Sequence, residues 1–272
     1  MKKTVSISVI IILITAAAIC GFLFAREYSA ALEEIYEYAN IQTKYTSIII
    51  PRTYEPDSEI HASLSETEES PEAMLPYVEV DFGALLLINP DTVGWIAIPG
   101  TDISYPVVQA ADNSKYLGTS FAGEQSRAGA LFADKGNNML FLDANTIIYG
   151  HNMGAGRTDM FSALLSYKER KYFESHRYIQ FDTIHRRHGF WEVFAVIELD
   201  VRSADFNYQM MQFDSDADFA QWIMTAKELS VHASDAAISP DSHILTLSTC
   251  DRSKYGRSGR LLALAVRIWK QA

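Results

Sequence analysis

The stretch His243-Ile-Leu-Thr-Leu-Ser-Thr-Cys250 runs into the polar loop Asp251-Arg-Ser-Lys-Tyr-Gly-Arg-Ser-Gly259 and then into Arg260-Leu-Leu-Ala-Leu-Ala-Val266. Its first part alternates in the manner of a strand with one buried face, and its last part is an apolar strand. Two strands, Ile244–Cys250 and Leu261–Trp269, are therefore expected on either side of the loop. This reading puts the Cys250 thiol at the rim of a β structure and Arg260 at the start of the closing strand.

Working outward, six further segments combine Val, Ile, Tyr and Phe with bounding turn residues. They are Trp95–Ile98, Ile103–Val108, Ala130–Ala133, Thr146–Gly150, Tyr178–Asp182 and Phe190–Leu199. Helical stretches interrupt them. Asp81–Ile88 is apolar and Pro90 stops it, and Thr158–Tyr167 begins with a cap candidate followed by an apolar stripe. The clearest helix is Asp216–Leu229, where Phe219, Trp222, Ile223 and Ala226 fall at i, i+3, i+4 and i+7, and Ser215 with Asp218 supplies a capping-box pattern. Eight short strands without regular βαβ alternation predict a mainly β fold, a closed or partly closed eight-stranded barrel with helical inserts.

The 272 residues carry 48% apolar side chains, enough for a sizeable core. Lys and Arg number 23 against 34 acids, a net charge of −11, which argues against nucleic acid as the main partner because phosphate binding needs a cationic surface. Two cysteines exclude a disulfide framework, and no Cys/His or acidic cluster reads as a metal site.

Val5 to Ala25 is a run of 21 residues without charge, roughly 30 Å as a helix, the thickness of a hydrocarbon core. Lys2 and Lys3 keep the preceding end in the cytoplasm. The reading is a transmembrane anchor; the alternative is a cleaved signal peptide, for which Ala16-Ala17-Ala18 offers small residues. Everything after Arg26 is then extracellular, and without Lys2, Lys3 and Arg26 its charge is −14. Tyr28–Asn40 has helix formers suited to a juxtamembrane helix. Glu55–Glu72 carries seven acids and no Lys or Arg, the composition of a flexible spacer.

His151 follows Thr-Ile-Ile-Tyr-Gly and, like Cys250, leaves a strand for a loop. A thiol attacks as the thiolate, which a nearby imidazole or guanidinium favours. A carbonyl attacked by sulfur develops an oxyanion, which a fixed guanidinium stabilises without proton transfer. Cys250, His151 and Arg260 thus make a complete set for acyl transfer. Arg252 and Arg257 share the loop with Arg260 and compete for its place; Arg260 is preferred because a strand mounts it rigidly.

Thr-Leu-Ser-Thr-Cys at 246–250, Arg260 opening the final strand and Tyr149-Gly150-His151 far upstream resemble a sortase, a membrane-anchored cysteine transpeptidase of mainly Gram-positive bacteria. The class B branch fits through Gly94-Trp95-Ile96, Tyr105-Pro106-Val107-Val108-Gln109, Asp112-Asn113 with Tyr116-Leu117, and the insert Phe213–Leu229 between the sixth and seventh strands. The resemblance covers about Tyr77 to Trp269.

It implies a sortase-type barrel and a domain order of tail 1–4, anchor 5–25, juxtamembrane helix and spacer 26–76, and catalytic domain 77–272. It implies a substrate too: a surface protein with a C-terminal sorting signal of LPxTG or NPxTx type, cleaved between Thr and Gly. Cys250 would form the thioacyl enzyme, His151 would act as acid and base, and Arg260 would hold substrate or oxyanion. A peptidoglycan cross-bridge amine or a pilin lysine would resolve it, without metal or cofactor. Asn113, Leu117, Tyr149, Ser248 and Asp251 would line the signal's groove, while Leu117 and Tyr149 equally suit barrel packing. Strand alternation puts Ser248 and Thr249 on opposite faces, so that both cannot face one site.

Papain-like and NlpC-like wall peptidases place Cys before His, whereas His151 precedes Cys250 here by 99 residues; in L,D-transpeptidases the two lie close together near the C-terminus. The alternative from another class is a membrane-tethered extracellular β-barrel binding module or adhesin with an inert cysteine, which thiol labelling at neutral pH distinguishes.

Overall fold

The apolar run and the helix formers after it fold as one helix, α1 (Ile7–Tyr45), 39 residues long. The anchor and the juxtamembrane stretch are continuous, because no proline or helix-capping signal interrupts the chain after Arg26. Its apolar part has a mean hydropathy of 2.4, and α1 is long and apolar enough to cross a membrane. The computed structural model describes residues 7–49, 75–140, 143–154, 156–185, 189–203 and 205–268. The tail 1–4, the first two residues of the anchor and the acidic spacer Glu55–Glu72 lie outside the described residues, as does Trp269.

The chain divides into two units, residues 1–41 and 42–272. In the second, β1 (Thr46–Ile49) pairs antiparallel with β2 (Tyr77–Val80), Ile49 opposite Tyr77. This ribbon was not expected, since no alternating pattern marks residues 46–49; it holds the two ends of the intervening stretch side by side. Asp81 caps α2 (Phe82–Ile88) by accepting a hydrogen bond from Ala84 N at 2.9 Å.

Eight strands then close a barrel: β3 (Thr92–Ala97), β4 (Ser104–Val108), β5 (Leu131–Ala133), β6 (Asn145–Tyr149), β7 (Tyr178–Thr183), β8 (Phe190–Asp200), β9 (Ile244–Cys250) and β10 (Gly259–Arg267). The order around the barrel is β10-β8-β7-β3-β4-β5-β6-β9. All neighbours are antiparallel except β4 with β5 and β6 with β9. The eight expected segments are these eight strands, shifted by up to three residues at their ends.

The stretch Thr158–Tyr167 is not the expected α-helix. Met160 has φ +52°, outside the right-handed helical region, and its N–H donates to Tyr105 Oη at 3.0 Å. Helical structure starts only afterwards, as a 3-10 segment at Ser162–Lys168 followed by α3 (Arg170–Ser175). By contrast, α4 (Asp216–Leu229) has the expected bounds, with Ser215 Oγ accepting from Asp218 N at 3.2 Å. Its buried stripe of Phe219, Trp222, Ile223 and Ala226 packs into one apolar cluster with Phe194, Ile197, Leu262 and Leu264. That second cover explains why β8 and β10 are apolar on both faces.

Candidate active site

The topology assembles the site. Because β6 and β9 run parallel, with Tyr149 opposite Ser248, both end at the same rim of the barrel. His151 lies two residues past β6 and Cys250 ends β9, so 99 residues of sequence separation close into neighbouring strand ends. β10 runs antiparallel to β9 and starts from that rim, with Arg260 the register partner of Cys250.

A cleft of about 260 Å³ opens there, lined by Asn113, Leu117, Tyr149, His151, Ser248, Cys250 and Arg260 among others. Seven of the eight residues singled out in the sequence therefore share one wall system. Of the three competing arginines only Arg260 lines the cleft; Arg252 begins the short helix α5 (Arg252–Tyr255), and Arg257 lies in the 3-10 turn Gly256–Ser258. The Arg260 guanidinium donates to the carbonyls of Gly259 at 2.9 Å and Arg257 at 3.4 Å. Among the described residues no carboxylate pairs with it, so its charge is available to the cleft.

Two glycines permit this geometry. A Cβ on Gly150 would lie 2.3 Å from Leu131 Cδ2 and 2.6 Å from Phe161 Cδ2, and one on Gly259 would meet the Asp251 carbonyl oxygen at 1.9 Å. The residues just before His151 and Arg260 must therefore lack side chains.

His151 Nε2 is 2.9 Å from the Leu117 carbonyl oxygen. A carbonyl only accepts, so the contact requires the proton on Nε2 and leaves Nδ1 as the nitrogen that gains or gives up a proton. Asn152 Nδ2 donates to the Cys250 carbonyl at 2.9 Å, tying the residue after the histidine to the main chain of the cysteine. The histidine loop is closed behind by Phe161 N donating to His151 O at 3.0 Å.

Leu117 is 46% exposed, so it forms a cleft wall and is not barrel packing. Tyr149 is half-buried against Phe132, with ring centroids 5.2 Å apart. Among the described residues Ser248 Oγ has no hydrogen-bond partner, and it is buried. Thr249 lines the cleft as well, with its hydroxyl donating to Gly150 O at 2.8 Å. Strand alternation separates side chains only, and a residue at the rim can also offer main chain to the cleft, which corrects the expectation that the pair cannot share one site.

Asp251 is the exception. It is buried and does not line the cleft. One carboxylate oxygen accepts from Ser253 N at 2.9 Å, capping α5, and the other is 2.8 Å from Lys168 Nζ. Burial pushes this carboxyl up, but the hydrogen bonds from Lys168 and Ser253 outweigh it and hold Asp251 below the usual carboxylate range. A buried acid beside a helical turn finds its partners inside the protein, which removes it from the groove.

Tyr208 and Gln209, on the loop after β8, complete the cleft with Phe132. No sequence pattern marks them, because the chain passes the site between two elements. Among the described residues no group of three or more His, Cys, Asp or Glu side chains is arranged to hold a metal ion.

A sortase domain model matches residues 96–268. Sortase B of Listeria monocytogenes is 38% identical over 175 residues, covering 64% of this chain and 69% of that protein. Sortase B of Staphylococcus aureus is 30% identical over 270 residues, covering 99% of this chain and 98% of the relative. A crystal structure of sortase B from Bacillus anthracis in complex with AAEK1 superposes with a TM-score of 0.69 at 29% identity, over 90% of this chain and 100% of that one. Sortases are cysteine transpeptidases, so these relationships set aside the reading of an inert binding module. With the eight-stranded barrel and the cysteine at its rim, they show that the chain belongs to the sortase family, in its class B branch.

Proposed function

We propose that this sortase cleaves a C-terminal signal of LPxTG or NPxTx type between Thr and Gly and joins the new carboxyl end to an amine. Cys250 gives its proton to His151 and attacks the Thr carbonyl carbon as the thiolate, and Arg260 stabilises the oxyanion that forms. As the tetrahedral species collapses, the C–N bond breaks, and His151 gives a proton to the leaving glycine amine. The thioacyl enzyme is resolved by an incoming amine, from a peptidoglycan cross-bridge or a pilin lysine, whose proton passes to His151 while the thiolate leaves. Asn113, Leu117, Tyr149 and Ser248 form the groove for the signal.

In the same reading residues 5–25 anchor the enzyme in the cell membrane, with 1–4 cytoplasmic, 26–76 a juxtamembrane connection and 77–272 the extracellular catalytic domain. Lys2 and Lys3 before the apolar run support that orientation.

The observation that carries the mechanism is the pairing of Cys250 with Arg260 on a rim that β6 shares with β9, His151 lining the same cleft. The full chain in detergent is incubated with quenched peptides carrying LPxTG, NPxTG and SPxTG cores, with Cys250→Ala as control. Cysteine-dependent cleavage between Thr and Gly is expected. A folded wild-type protein that cleaves none of the three overturns the assigned signal class.

A further inference from the structure

Two side chains of the cleft end on the same oxygen atom. Asn113 Nδ2 donates to Asp134 Oδ2 at 2.8 Å, and Tyr149 Oη donates to that oxygen at 2.9 Å. Asp134 itself is 5% exposed and does not line the cleft. Its other carboxylate oxygen accepts from Gly136 N at 2.9 Å. Its main chain is fixed as well: its N–H donates to Ile147 O at 2.9 Å, and its carbonyl accepts from Gln109 Nε2 at 2.8 Å and Asn137 N at 3.0 Å.

The network reaches three walls of the cleft. Asn113 precedes the 3-10 turn Lys115–Leu117, and its Oδ1 accepts from Lys135 N at 2.8 Å, which settles the orientation of its amide. Tyr149 ends β6. Gln209, on the loop after β8, donates to Tyr149 Oη at 3.0 Å. Every bond is directed toward Asp134: Gln209 to Tyr149, Tyr149 and Asn113 to the carboxylate. Burial raises the phenol of Tyr149 well above its ordinary value, so it remains a donor.

Only an acceptor-only group serves three donors on two oxygens here. Asparagine at this position offers one oxygen, and either orientation of its amide turns an N–H toward the Asn113 and Tyr149 pair or toward Gly136 N. The network also stands apart from the reacting atoms. Tyr149 is level with Ser248, two residues before Cys250, or about 7 Å along the strand. That spacing sets Tyr149 back along the strand from the reacting sulfur.

We propose that Asp134 is a positioning residue of the substrate cleft, which aims Asn113 and Tyr149 and through them sets the affinity for the sorting signal. The inference rests on the sortase reading of the cleft given above.

Its test compares the full chain with Asp134→Asn, Tyr149→Phe and the double variant in detergent, on the peptide that the wild type cleaves best. Asp134→Asn is expected to raise KM about tenfold with kcat within about threefold, as for lost charge-assisted hydrogen bonds in ground-state binding. The double variant is expected to lose less than the product of the two single effects, because both changes act on the same Tyr149–Asp134 bond. A loss of kcat at unchanged KM, or effects that multiply in the double variant, overturns the proposal. Should Asp134→Asn fail to fold, Tyr149→Phe and Asn113→Ala, which leave the carboxylate in place, carry the same comparison: non-additive KM effects support it and multiplying ones overturn it. If the wild type cleaves no peptide, the sortase signal reading has failed on its own; amide exchange at residues 113–117 then decides, faster exchange in Asp134→Asn supporting the hub and unchanged exchange overturning it.

Discussion

Arg260 is set opposite Cys250 by strand register, and that register separates it from two arginines of equal charge in the same loop. A lysine there keeps the charge but loses the planar fork and its hydrogen bonds to the Gly259 and Arg257 carbonyls. Arg260→Lys is therefore expected to lower kcat by about 100-fold, the scale of a lost oxyanion donor, while Arg257→Ala stays within about threefold of wild type. Steady-state cleavage of the best peptide checks this; the opposite ranking assigns the role to Arg257. Asn152 holds the main chain of the nucleophile through the Cys250 carbonyl. Asn152→Ala is expected to reduce kcat about tenfold at nearly unchanged KM, because misplacing a nucleophile costs rate before it costs binding; a pure KM effect contradicts this role.

Among the elements, α4 was legible in full because its signals are local: a cap residue, an acidic first turn and an apolar stripe at helical spacing. The Thr158–Tyr167 stretch carries comparable local signals and yet fails as a helix. Met160 is held in a positive-φ conformation by a hydrogen bond to Tyr105, 55 residues away, and no window of local sequence contains that partner. Tyr105→Phe leaves the Met160 N–H buried and unpaired, so a loss of roughly 1–3 kcal/mol is expected in denaturant unfolding; an unchanged midpoint would show that water replaces the phenol. Gly259 couples two elements. With the Asp251 carbonyl 1.9 Å from where its Cβ would stand, Gly259→Ala must push the start of β10 off β9, and kcat/KM is expected to fall at least tenfold while α4 and β8 remain protected in amide exchange.

At the scale of the molecule, burial raises the phenols of Tyr105 and Tyr172 to about 12 and carries that of Tyr167 well above 10. These groups stay neutral in the folded protein while their unfolded counterparts ionise near pH 10. Between pH 10 and 12 the folded state thus binds more protons, and stability falls as pH rises through that window. The thermal midpoint is expected to be flat in its tyrosine contribution from pH 8 to 10 and to drop steeply above; a profile level to pH 12 would show that these phenols are solvated.

Legible in the residues alone were the number of barrel strands, the apolar helix at the start of the chain, α4, and the cysteine and histidine at strand ends. These features are written in short windows of hydrophobic period, capping residues and turn residues, which act over a few positions. Tertiary structure decided which strand ends meet. The parallel pairing of β6 with β9 brings His151 beside Cys250, the register of β10 selects Arg260 over Arg257, and the fold delivers Gln209 to the cleft and the buried Asp134 behind its wall, roles that neither residue advertises. Asp251 shows the converse: the family resemblance implied a groove residue, and burial with Lys168 made it a cap. Such choices depend on contacts tens of residues apart, whose energies exist only once the barrel has closed.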